Sequence, residues 1–322
     1  MKRYFCTLFD SNYLIKGLTM IQSLSEFCDD FEIYVLCLDS KTKYILERIN
    51  AKYINCIELF EVENSDLLKA KKDRTKTEYC WTLASNFTWY IMNRFKDINL
   101  ITYLDADLLF YSSIEPIFKE ISNSSIAIIE HRFAKQYKNL EVNGRFCVEW
   151  NSFRRDKEGM NCLNNWRKQC LEWCFYKLEN GKMGDQKYLD EWPTKYNSCH
   201  IIKVTGAGIA PWNYSKYKIM NKHPRIKIDG EDLIFYHFHQ FQILKKNKFF
   251  RLGEIYTSYK KEPDSIYLRY EEKLIFSLNQ IREIDANFDC GIIKSHNFFK
   301  QKIILFIPRI FKNFIRCYPD WN

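Results

Sequence analysis

The chain has 322 residues, 46% of them hydrophobic and 28% charged, which supports a sizeable core in one large α/β domain with additions or in two small domains. The net charge is +9, and Lys294, Lys300, Lys302, Arg309, Lys312 and Arg316 against the single Asp320 place five of those charges in the last segment. The remainder is only mildly basic, which argues against a nucleic-acid-binding core.

In chain order, Tyr4–Phe9 reads as a short buried strand ending at Asp10. A helical stretch follows from Leu14 to Phe27. Glu32–Leu38 is a second strand ending at Asp39, Lys41–Ile49 a helix, and Cys56–Val62 a third strand. Thr77–Phe95 has helical length, and Leu100–Leu104 is a buried strand running directly into Asp105. This alternation predicts a parallel sheet covered on both faces, with ligands at the carboxyl ends of its strands. Beyond it, Ser125–Glu130, Cys147–Arg154 and Cys199–Val204 read as strands, Glu158 to about Lys177 as a long helix, and Arg225–His239 as a hairpin around Asp229-Gly230.

The twelve cysteines include no CxxC pair, so neither a disulfide scaffold nor a zinc ribbon is expected. Buried thiols in a reducing cytoplasm fit them better. A strand at the very start predicts that no signal peptide precedes it, and no run of about 20 apolar residues predicts a spanning helix.

The chemistry concentrates in three segments. Tyr103-Leu104-Asp105-Ala106-Asp107 places two carboxylates, one residue apart, after a buried strand. Kept extended, the chain would point both to one side, where oxygen ligands suit Mn²⁺ or Mg²⁺ against phosphate oxygens. Taken alone such a pair is also an ordinary acidic turn. Tyr236-His237-Phe238-His239 puts two imidazoles on one face of a strand, and one of them is expected to be a third ligand. In Asp10-Ser11-Asn12-Tyr13, Asp10 and Asn12 can bond a base edge or ribose and Tyr13 can stack on the base; Asp10 or Ser11 can equally cap a helix.

In this order the motifs resemble the GT-A glycosyltransferases, and more narrowly the glycogenin and lipooligosaccharide-galactosyltransferase family. The resemblance spans about Tyr4 to Gln240. It implies a metal-dependent transfer of sugar from a nucleotide-diphospho-sugar, a UDP-sugar above all, to a glycan or lipid-linked acceptor. The DxD matches Asp105 and Asp107. The H-F-x-G-like stretch matches His237-Phe238-His239-Gln240, which favours His237 over His239, and the D-x-N-Y-like nucleoside segment matches Asp10, Asn12 and Tyr13. The family's D-Q-D segment is similar to Asp185-Gln186-Lys187 and implies catalytic positions for Asp185 and Gln186. Inversion would need a general base, for which Asp185 is the candidate; the resemblance favours retention, with Gln186 positioning the transition state.

Two departures stand out. Gln240-Phe241-Gln242 replaces the family's K-P-W, leaving its diphosphate-contacting lysine unassigned, and Lys187 replaces the last acid of D-Q-D. Within the basic loop Lys69–Lys76, Arg74 is the candidate to reach the donor phosphates, with Lys71, Lys72 and Lys76 read as solvated. Gly206-Ala207-Gly208 is read either as a close backbone approach to sugar or as a tight turn.

The expected organisation is a GT-A domain over residues 1–255, with a nucleotide-binding half (1–110) and an acceptor-side half (111–255), followed by a C-terminal helical extension over 256–322. Ile303, Ile307, Ile310 and Phe314 form an apolar stripe opposite Arg309, Lys312 and Arg316, suited to an anionic membrane surface. That predicts a cytoplasmic protein, peripheral on the membrane, with packing of this tail on the domain as the other reading. A sugar-phosphate nucleotidyltransferase is disfavoured because no Gly-rich loop follows the first strand. A non-catalytic nucleotide-sugar binder of the same fold is the remaining rival.

Overall fold

The computed structural model describes residues 2–222, 225–253, 255–256 and 261–293. The first half runs β1 (Arg3–Phe9), α1 (Leu14–Ser25), β2 (Phe31–Cys37), α2 (Ser40–Ile49), β3 (Ile54–Glu58), α3 (Leu59–Val62), α4 (Ser65–Lys71), α5 (Lys76–Arg94), β4 (Leu100–Leu104) and β5 (Leu108–Phe110). Next come α6 (Glu115–Glu120), β6 (Ile126–Glu130), β7 (Phe146–Arg154), α7 (Lys157–Glu172), α8 (Trp192–Lys195) and β8 (Cys199–Ile202). The last described part holds β9 (Ile219–Lys222), β10 (Arg225–Ile228), β11 (Glu231–Asp232), β12 (Phe235–His237), β13 (Gln242–Leu244), β14 (Lys248–Phe250), α9 (Asp264–Ile284) and β15 (Ile292–Ile293).

The fold is α/β, with a seven-stranded sheet in the order β3-β2-β1-β4-β7-β6-β8. Strands β1 to β4 are mutually parallel where they pair, and β7 runs antiparallel between β4 and β6. Side chains alternate between two cores with the strand period of two. Phe5 and Phe9 of β1, with Ile33 and Val35 of β2, join the core under α1 and α9. Cys6, Leu8, Tyr34 and Leu36 join the opposite core under α5 and α7. Burial on both faces explains why these strands read as continuous apolar runs. The sheet order reverses between β1 and β4, so a crevice opens at their carboxyl ends, where Asp10 and Asp105 follow.

Three local expectations change. The stretch Cys56–Val62 is not all strand: Glu58 caps a turn of helix over Leu59–Val62, with Glu61 bonding back to the Glu58 N–H. The predicted long helix stops at Glu172, and Glu78 takes the N–H of Tyr176 at 2.7 Å, holding the chain off the helical path. The Asp229-Gly230 hairpin is confined to β10 and β11, because Phe235 and Tyr236 leave it to bury completely beside β5. Gly206 and Gly208 serve packing: a Cβ on Gly206 would fall 1.9 Å from the Asp232 carbonyl oxygen, and Gly208 has φ +67.

Helix α9 packs on α1, with the Thr19 hydroxyl donating to Ser277 at 2.7 Å, and Ile266, Tyr270, Leu274 and Ile281 belong to the same core as α1. The eleven cysteines among the described residues are free. No helix among them is long and apolar enough to cross a membrane. The basic amphipathic segment from Lys294 to Asn322 lies outside the described residues.

Candidate active site

Two backbone ladders assemble the site. Strand β12 pairs antiparallel with β5, setting His237 opposite Leu108, and the Phe238 N–H donates to the Asp107 carbonyl at 2.9 Å. Strand β7 pairs with β4, and the Asp105 N–H donates to the Glu149 carbonyl at 3.3 Å. Residues more than 120 positions apart in sequence thus become neighbours. His237 Nε2 lies 3.0 Å from Asp107 Oδ1 and 3.8 Å from Asp105 Oδ2. On the other edge of the ring, Nδ1 donates to Glu149 Oε2 at 2.6 Å.

Glu149 was not visible as a site residue in sequence. Its signal was a carboxylate inside a strand that is otherwise apolar around it, Phe146-Cys147-Val148-Glu149-Trp150, and such a charge needs a partner when buried. It is fully buried, and its Oε1 has no hydrogen-bond partner.

The electrostatics follow from burial and crowding. Burial and the charges of Asp107 and Glu149, against the opposing pull of His237, push the Asp105 carboxyl up to about 7, although its side chain keeps 28% of its exposure. Burial alone would raise Asp107 too, but the charge and hydrogen bond of His237, with help from Lys16, hold it well below the carboxylate range. Burial opposes a charge on His237, but Asp107, Cys147 and Glu149 outweigh it and raise its pKa far above the usual value. His239 is different: burial and the His237 charge lower it to about 4, and its Nδ1 bonds the Tyr256 hydroxyl at 2.8 Å. A neutral, engaged His239 leaves His237 as the ring that meets the carboxylates.

The donor atoms present fit a hard or borderline divalent cation: two carboxylates and an imidazole whose Nε2 edge faces them. One possible metal group by distance is Asp105, Cys147 and His237, whose ligand atoms lie within 4.8 Å of one another. Asp107 Oδ1 also lies near, 3.0 Å from His237 Nε2. The Cys147 thiol sits 4.0 Å from Nδ1, on the edge that Glu149 occupies, and burial raises its pKa to about 12, so it keeps its proton.

Asp10 accepts from the Asn12 and Tyr13 N–H groups at 3.0 and 3.2 Å and pairs with Lys76, so its carboxylate shapes the turn after β1. Asn12 Nδ2 donates to Asp10 at 3.1 Å, and Asn12 Oδ1 accepts from the Gly291 N–H at 3.3 Å. Tyr13 is 43% exposed, with the Lys16 ammonium 4.5 Å from its ring centroid. Asp185 is buried, and burial together with the Asp105 charge pushes its carboxyl up to about 8. Gln186 Nε2 donates to the Asn143 carbonyl at 3.1 Å.

Arg74 is placed elsewhere. Its buried guanidinium donates to the Cys170 and Leu171 carbonyls at 2.7 Å each, and to Thr82, tying the end of α7 to α5. It is committed to the scaffold and is not free to reach a phosphate. Lys76, read as solvated in sequence, is instead the cation on Asp10.

Comparison with known proteins gives the family and the fold. The model of glycosyl transferase family 8 matches residues 6–191, more than half of the chain. The chain belongs to glycosyl transferase family 8. It is a glycosyltransferase, and its fold is the GT-A fold, similar to that of the galactosyltransferase LgtC. Among curated proteins it is similar to the uncharacterized protein YfnD of Bacillus subtilis, 32% identical over 91% of this chain and 95% of that one. YfnF of the same organism is 30% identical over 92% of this chain and 100% of its own length. Among solved structures, LgtC in complex with donor and acceptor sugar analogues superposes with a TM-score of 0.53 at 13% identity, covering 85% of this chain and 95% of that one. The glycosyltransferase GlyE of Streptococcus pneumoniae TIGR4 gives 0.51 at 13% identity, over 90% of this chain and 65% of GlyE.

Proposed function

We propose that this glycosyltransferase moves a sugar from a nucleotide-diphospho-sugar, a UDP-sugar first among candidates, to a glycan or lipid-linked acceptor, with Mn²⁺ or Mg²⁺ held by Asp105, Asp107 and His237. The observation that carries the reading is the convergence of His237 Nε2 on both carboxylates, 3.0 and 3.8 Å away, at the crevice between β1 and β4. When bound, the cation would stabilise the charge that develops on the departing diphosphate. Glu149 holds the Nδ1 proton of His237 and so turns Nε2 toward the cation's side. Tyr13 offers its exposed ring to the nucleoside base, while Asp10, pinned by Lys76, sets the turn that presents it. Asp185, whose carboxyl feels the Asp105 charge, and the adjacent Gln186 are assigned to the sugar and acceptor. Asp185 is the candidate general base if configuration inverts, and Gln186 would position the transition state under retention, the outcome favoured here. The resemblance of the D-Q-D-like segment supports the same outcome.

The test is a donor screen. Purified protein is incubated with Mn²⁺ and UDP-, GDP-, CMP- and TDP-sugars, following slow hydrolysis and thermal protection. One nucleotide is expected to stand out, and its effect to vanish with EDTA and in Asp107→Asn. Folded protein that answers to none of them would overturn the reading.

A further inference from the structure

Lys16 occupies a position that is unfavourable for a cation in three ways. It lies in the first turn of α1, where the helix dipole presents its positive end. No acidic residue stands in that turn, and the N-cap residue Tyr13 contributes no side-chain cap bond. The side chain is only 7% exposed, and among the described residues its ammonium has neither a hydrogen bond nor a carboxylate within ion-pair distance. A lysine so largely withdrawn from water without a paired anion is unfavourable, and burial lowers its pKa.

Its surroundings say where the charge points. Nζ lies 4.5 Å from the centroid of the Tyr13 ring, the ring exposed at the mouth of the crevice. On the inner side its charge is felt by Asp107 and by His239. The ammonium therefore lies over the base-stacking candidate and within electrostatic reach of Asp107. Arg74, the basic residue expected at the donor, is engaged with the α7 carbonyls, and Lys76 of the same loop pairs with Asp10. An anion lodged between Tyr13 and Asp107 would meet both the ammonium and the positive end of α1, and would relieve all three unfavourable features at once.

We propose that Lys16 is the side chain that binds the diphosphate of the nucleotide donor, in the place that a lysine after the histidine segment would otherwise fill. This rests on the nucleotide-sugar reading above and adds to it a residue on α1.

The full-length protein, as Lys16→Met and Lys16→Arg, tests the assignment. UDP binding is measured by calorimetry with Mn²⁺ present, Mn²⁺ binding alone by electron paramagnetic resonance, and thermal stability without ligand. Lys16→Met is expected to weaken UDP at least tenfold, to bind Mn²⁺ no more weakly than wild type, and to melt no lower; Lys16→Arg should recover most of the UDP affinity. UDP binding by Lys16→Met within threefold of wild type overturns the proposal. So does a joint fall in UDP affinity, Mn²⁺ affinity and melting temperature, which would make Lys16 a packing residue. Wild-type protein that binds Mn²⁺ but none of UDP, GDP, CDP and TDP would fail the donor reading itself, an outcome separate from either of these.

Discussion

Replacing Glu149 separates the metal-orienting part of the site from its packing. The 2.6 Å bond from His237 Nδ1 to a wholly buried carboxylate is charge-assisted, and such bonds contribute about 1.5–3 kcal/mol net. Loss of a carboxylate behind a metal-ligating histidine typically lowers metal affinity by about 10–100-fold. At about 1.4 kcal/mol per tenfold, the two ranges coincide. In Glu149→Gln the amide oxygen still accepts the Nδ1 proton, so Mn²⁺ affinity should fall by about tenfold; in Glu149→Ala the ring is unsupported and the fall should approach about 100-fold. Stability without added metal should fall in Glu149→Gln by less than about 1.5–3 kcal/mol, because the charge-assisted bond is kept as a neutral one. His237→Ala removes the other partner. It leaves Glu149 charged in a dry strand and should destabilise by about 3–5 kcal/mol, most of it recovered in the double variant with Glu149→Gln. Mn²⁺ titration followed by electron paramagnetic resonance, with chemical denaturation alongside, reads both quantities. If Glu149→Gln and Glu149→Ala both bind Mn²⁺ within twofold of wild type while folded, Glu149 does not orient a metal ligand and the argument fails.

Other outcomes follow from the same geometry. Arg74→Ala leaves the Cys170 and Leu171 carbonyls without their donor and should lower stability by about 3 kcal/mol in urea denaturation, with UDP affinity in the folded fraction unchanged. Gly208→Ala would bring a Cβ to 2.6 Å from Ile129 Cδ1 and 2.9 Å from Glu149 Oε1 at φ +67, so both melting temperature and Mn²⁺ affinity should fall together. His131 lies buried between Phe133 and Trp212, and burial lowers its pKa to about 3, opposed mainly by the bond to the Arg145 carbonyl. Because the folded value is depressed, its contribution is complete above about pH 6.5 and is lost as pH falls toward 3, by up to about 1.4 kcal/mol per pH unit. Comparing denaturation at pH 7 and pH 5 for wild type and His131→Gln should show the smaller loss in the variant; equal losses would assign the acid sensitivity to other groups.

Much of the scaffold was written locally. The period-two burial that makes Phe5, Phe9, Cys6 and Leu8 face two cores is a property of consecutive residues, and so is the run Leu100–Leu104 that delivers Asp105 to the end of a strand. The carboxylate pair Asp105 and Asp107, the Tyr13 segment and the choice of His237 were legible for the same reason: each motif carries its chemistry within a few residues. What the sequence could not assign was where long side chains spend their charge. Arg74 and Lys76 stand two positions apart in one basic loop, yet one is buried against α7 and the other pairs with Asp10. Glu149 and His237 are 88 residues apart and meet only because β7 joins β4 while β12 joins β5. Lys16 carries no signal in the sequence; only the packing of α1 leaves it 7% exposed with no anion paired to it among the described residues. Backbone pattern is set by neighbours in sequence, whereas the partner of a charge is set by neighbours in space, and only the tertiary structure supplies those.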